Sequence, residues 1–186
     1  MLQKELNEHI CVLQTLATMQ DKIDDIVKLL VKTILCGNTV FVCGNGGSAA
    51  DAQHFAAEII GRFKKERRAW PAVALTTDTS ILTAIGNDYG FDEIFARQLE
   101  GLGRANDILL GISTSGDSPN VIKAVNKAES LNIQTIGLLG KDGGSLAKTM
   151  DLHLVIKSYD TARIQEAHIF LIHYIAGRLE EYLMEK

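Results

Sequence analysis

Residues 39–62 read TVFVCGNGGSAADAQHFAAEIIGR. The first five are β-branched, aromatic or small and apolar, which suits a short strand buried on both faces. Gly44, Gly46 and Gly47 follow, three glycines in four positions. They let the backbone turn sharply and approach a ligand closely. Helix formers take over near Ser48. Ala52, Phe55, Ala56, Ile59 and Phe63 then share one face, and Asp51, His54, Glu58 and Arg62 share the other. Strand, glycine turn and helix open a βαβ unit. The helix start offers free N–H groups and a positive dipole end to a ligand.

The pattern repeats along the chain. Short apolar runs stand at 72–75 (AVAL), 108–112 (ILLGI), 135–139 (TIGLL) and 152–156 (LHLVI), with segments of helical composition between them. This alternation predicts an α/β domain built on a parallel sheet, with right-handed crossovers and ligands outside the carboxyl ends of the strands. Ahead of it, residues 2–35 carry Leu6, Ile10, Leu13, Ile23, Ile26, Leu30 and Ile34 near helical spacing. That stripe packs either on the domain or on another subunit. We read 1–186 as one domain, with an N-terminal helical region at 1–35 and the α/β core at 36–186.

The strand ends carry the candidate ligand groups. Gly44 to Ala49 fits the loose dinucleotide pattern G-x-G-x-x-A, but the expected acid about 20 positions on is missing. The nearest acid after a strand is Asp78, 32 beyond Gly46. No Gly-Lys-Ser/Thr follows, so this is not a Walker loop. After the third apolar run comes STSGDSPN, with Ser113, Thr114, Ser115 and Ser118 around Gly116. Pro119 suits a first helical turn with Ser118 as its cap. Hydroxyls and amides at a helix start form a neutral cradle for a phosphomonoester. Asn87 and Asp88, in GNDYGF, read as turn residues that could also hold sugar hydroxyls.

His54 and Glu58, at i and i+4, can reach one metal ion. In the last segment, TARIQEAHIFLIHYIAGRLEEYL, Gln165 and His173 stand eight apart, about two turns on roughly one side. Spacing alone leaves open whether they meet His54 and Glu58. His168, in the same apolar stretch, reads as a core histidine.

Composition removes other classes. The formal net charge is −4, which argues against a nucleic-acid surface. The basic run Arg62–Arg68 reads as a solvated helix end. The polar start MLQKELNEHI has no signal-peptide core, and no apolar run is long enough to span a membrane. Cys11, Cys36 and Cys43 form no CxxC pair and read as reduced core or near-core fillers in a cytoplasmic protein.

Together, CGNGGSAADAQHFAAE, GNDYGFDEIF, GISTSGDSPNVIKA, GKDGG and ARIQEAHIFLIH resemble the sugar isomerase (SIS) domain family, and within it the phosphoheptose isomerases. The resemblance implies a single SIS domain, a three-layer αβα sandwich on a five-stranded, flavodoxin-like sheet. It implies conversion of sedoheptulose 7-phosphate to D-glycero-D-manno-heptose 7-phosphate through an enediol. That is the first step toward ADP- or GDP-heptose for lipopolysaccharide or capsule. It implies that Asn45, Gly46, Gly47, Ser48, Glu58, Asn87, Asp88, Ser113, Thr114, Ser115, Ser118 and Gln165 bind substrate. His54, Glu58, Gln165 and His173 match zinc-binding positions, one ion per subunit, and Glu58 and His173 the catalytic pair. A cytoplasmic homotetramer with active sites at subunit contacts is expected. The rival reading is a non-catalytic SIS module that associates with a replication initiator. That branch tends to lose the equivalents of Glu58 and His173, and this chain keeps both. A phosphosugar sensor or a nicotinamide enzyme would need less of this residue set.

Overall fold

A computed structural model describes residues 1–184. Five strands form one parallel sheet in the order β2-β1-β3-β4-β5. They are β1 Val40–Gly44, β2 Ala72–Ala74, β3 Ile108–Ser113, β4 Gln134–Gly140 and β5 Leu152–Ile156. Val40 pairs with Ala72 on one side and Ile108 on the other, and Ile136 pairs with Leu152. This is the flavodoxin-like order, with its topological switch between β1 and β3.

The strand side chains alternate between two cores. Val40 and Val42 face one side with Ile108, Leu110, Ile136 and Leu138. On that side lie α2 (Gln20–Leu35), α3 (Gly47–Ile60) and α8 (Thr161–Met184). Phe41, Cys43, Leu109 and Leu139 face the other. There lie α4 (Thr79–Asp88), α5 (Ala96–Leu102), α6 (Pro119–Ser130) and α7 (Leu146–Thr149). Burial on both faces explains why these strands read as continuous apolar runs.

The N-terminal region is two helices, not one. A 3₁₀ turn, Leu16–Met19, separates α1 (Leu2–Thr15) from α2. The apolar stripe divides there. Ile23, Ile26, Leu30 and Ile34 are buried, whereas Leu6 and Ile10 are exposed. Polar contacts hold α1 on α8: Arg163 donates to the Glu5 carbonyl (2.7 Å), and His9 Nδ1 lies 2.8 Å from Glu166. The cysteine expectation holds for one of three. Cys43 is buried, and burial pushes its thiol up to about 12, but Cys11 and Cys36 are exposed. No described helix is long and apolar enough to cross a membrane.

Candidate active site

Two loops flank the switch between β1 and β3. In the first, Gly46 has φ +58° and ψ −121°, a conformation closed to other residues. A side chain at Gly47 would run into the amide of Gln165, so α8 lies directly on this loop. Ser48 is buried in the first turn of α3. Asn45 turns its amide toward Asn120, and each donates to the other over 2.8 Å. Asn120 is buried and ties the two loops together. The sequence reading passed over it. Its signal was its place in the first turn after the serine loop. A cavity of about 150 Å³ opens between Gly44–Gly46 and Leu82, Phe91 and Phe95.

In the second loop, Ser118 stands at the N-cap of α6, but its hydroxyl caps nothing. The expectation of a side-chain cap fails because Ser118 Oγ lies 2.8 Å from Ser113 Oγ. Ser113 Oγ also accepts from the Gly116 amide (3.1 Å) and lies 3.3 Å from Ser115 Oγ. Thr114 is half-buried beside them. The Ser113, Ser115 and Ser118 hydroxyls thus gather at the start of a twelve-residue helix, the kind of place that receives an anion.

The charged stripe on α3 meets α8. His54 Nε2 lies 3.2 Å from Glu58 Oε1 and 2.8 Å from His173 Nε2. One donor atom from each of the three lies within 4.8 Å of the others. The two imidazoles meet at 73°, and Phe63 stacks on His173 with ring centroids 5.7 Å apart. Two imidazole nitrogens and a carboxylate are a donor set of catalytic zinc sites. With bonds of about 2.0–2.1 Å, tetrahedral donors stand about 3.3 Å apart, close to the spacings here. The residues fit a divalent ion.

Gln165 sits against Gly47, about two turns before His173 on α8. Arg62 is not on the stripe, because α3 ends at Ile60. It is exposed, 3.5 Å from Glu66. Asn87 and Asp88 form the exposed last turn of α4 rather than a turn, and their side chains bond to each other (2.8 Å). Asp78 is the N-cap of α4 and accepts from the Ile81 amide. Asp51 is half-buried, and burial pushes its carboxyl up to about 6 against the pull of His54. His168 is the expected core residue, fully buried with Nε2 3.2 Å from the Leu139 carbonyl. The basic run is only partly solvated, since Arg67 is buried against Glu180.

The family model for the SIS domain matches residues 7–140. The chain is 52% identical over 181 residues to phosphoheptose isomerase 1 of Campylobacter jejuni, covering 97% of each. Its fold superposes on phosphoheptose isomerase from Neisseria gonorrhoeae with a TM-score of 0.91 at 44% identity, covering 97% of this chain and 100% of that one. For the Francisella tularensis enzyme the TM-score is 0.93 at 38% identity, covering 97% and 96%. These likenesses do not favour the initiator-associated module. The chain belongs to the SIS domain family, in its phosphoheptose isomerase branch.

Proposed function

We infer that this chain interconverts sedoheptulose 7-phosphate and D-glycero-D-manno-heptose 7-phosphate. The observation that carries the reading is the meeting of His54 and Glu58, on the helix that the glycine loop opens, with His173 from α8. The names of relatives about half identical over the full length support the substrate class. Ser113, Thr114, Ser115 and Ser118 hold the phosphate. Asn45, Gly46, Gly47 and Ser48 border the sugar chain, and Asn87 and Asp88 are its proposed outer contacts.

Glu58 has one oxygen beside His54 and a second that makes no hydrogen bond among the described residues. That second oxygen takes a proton from C1 of the ketose. The electron pair forms the C1–C2 double bond as O2 gains a proton, giving the enediol. The proton then returns to C2 while O1 gives up its own, and C1 becomes the aldehyde. His173 serves the oxygens. A carboxylate and an imidazole in these roles each contribute about 10²–10⁴-fold. Zinc, one ion per subunit, would be held by His54, Glu58 and His173 with Gln165, and when bound supplies polarisation of the C1 and C2 oxygens.

The same reading carries a cytoplasmic homotetramer that feeds ADP- or GDP-heptose synthesis for lipopolysaccharide or capsule. The exposed apolar side chains of α1 support the assembly. Purified protein of defined zinc content is assayed with sedoheptulose 7-phosphate, and the aldose is detected directly. Product that vanishes in Glu58→Gln supports the assignment. No product from folded, zinc-loaded protein overturns it.

A further inference from the structure

Residues 61–70 follow α3 as a stretch without helix or strand, rich in lysine and arginine. Such a stretch has little of its own to hold it. Here it is gripped from α8. The Glu180 carboxylate, 2% exposed, accepts the amides of Phe63, Lys64 and Lys65, each over 2.9 Å. Arg67, 4% exposed, brings its Nε to 3.3 Å from Glu180. The rest of its guanidinium donates to the carbonyls of Glu58 (2.6 Å) and Ile59 (2.9 Å), the last turn of α3. Its Cζ lies 3.6 Å from the centroid of the Trp70 ring. Burying a carboxylate and a guanidinium is costly; three amides and the nearby opposite charge offset it for Glu180, two carbonyls and that charge for Arg67, and the pair anchors a loop and a helix end together.

The first residue on this anchor is Phe63, whose ring lies 19° from parallel to His173. The imidazole torsion about its ring bond is broad and poorly defined by itself. A ring against one face, with His54 at Nε2, leaves one orientation. We propose that Phe63, set by the Glu180–Arg67 pair, is a positioning residue that fixes the His173 imidazole toward Glu58. The proposal rests on the isomerase reading above. Phe63 stacks on His173, and the phosphate loop lies on other elements. Its loss therefore falls on kcat rather than on KM, and misplacement by about 1 Å can cost about 10²-fold.

The test uses the zinc-loaded full chain. Wild type, Phe63→Leu and Phe63→Tyr are assayed with sedoheptulose 7-phosphate. The His173 ring resonances are followed by NMR, assigned through His173→Gln. The expected result for Phe63→Leu is a ten- to hundredfold fall in kcat, about the scale of misplacement, at unchanged KM. Its His173 ring protons move downfield as the stacked ring is lost. Phe63→Tyr, which keeps the ring, restores both. A Phe63→Leu enzyme with wild-type kcat and unmoved resonances overturns the proposal. Equal losses in Phe63→Leu and Phe63→Tyr, with the melting temperature falling in both, also overturn it, because the role is then structural. A wild type that forms no aldose brings down the isomerase reading itself, and with it the proposal.

Discussion

Single side chains divide the work at this site, and single substitutions should separate it. Glu58→Gln is expected to lower kcat by about 10²–10⁴-fold with little change in KM, since the proton acceptor is lost and the phosphate loop is untouched. Ser113→Ala should do the reverse, raising KM by about tenfold or more through a lost bond to a charged ligand. Steady-state kinetics distinguish the two. His168 predicts a pH effect on stability. Burial lowers its pKa from 6.5 to about 4, so the folded state holds it neutral, with Nε2–H donating to the Leu139 carbonyl. Its contribution is complete above about pH 6.5 and is lost as pH falls toward 4, up to roughly 3 kcal/mol. Denaturant titrations from pH 7.5 to 4 should show a slope that His168→Leu flattens. His54 with Glu58 was legible because their spacing puts both on one helix face. Arg67 with Glu180 was not, because each reads alone as a solvated charge and the partners stand far apart in sequence.

At the level of elements, the strands were legible almost to the residue, because burial on both faces leaves runs that polar helix surfaces interrupt. Helix ends were less so. The spacing that put Arg62 on the stripe assumed a helix that runs on, whereas the chain leaves α3 at Gly61 to reach the Glu180 amide nest. Ser118 carried the signature of a cap, and its hydroxyl is drawn instead to Ser113. The Asn45–Asn120 pair joins the loops after β1 and β3. Asn120→Ala should strip the half-buried Asn45 amide of its partner and cost about 0.5–1.5 kcal/mol. It should also raise KM as the two loops lose their common reference. Thermal unfolding and kinetics on the same preparation measure both.

For the whole molecule, the proposed tetramer gives the exposed stripe on α1 a purpose. Leu6→Glu with Ile10→Glu should yield a folded species of lower mass by light scattering, while unchanged mass would move the contact elsewhere. The residues alone gave only a parallel sheet, since nothing in their pattern says which strand lies at which edge; the flavodoxin-like order came with the family resemblance. The order of synthesis adds a consequence. His54 and His173 stand 119 positions apart, and every strand is finished at Ile156, before α8 begins. A nascent chain can therefore lay down its entire sheet while possessing neither His173 nor Glu180. Until α8 emerges, the face that receives Ile164, Leu171, Ile172 and Ile175 stays bare. Competence thus arrives only with α8. A premature stop or a proteolytic clip before Glu180 leaves no weakened enzyme behind. It leaves an inert, sticky polypeptide for quality control to clear.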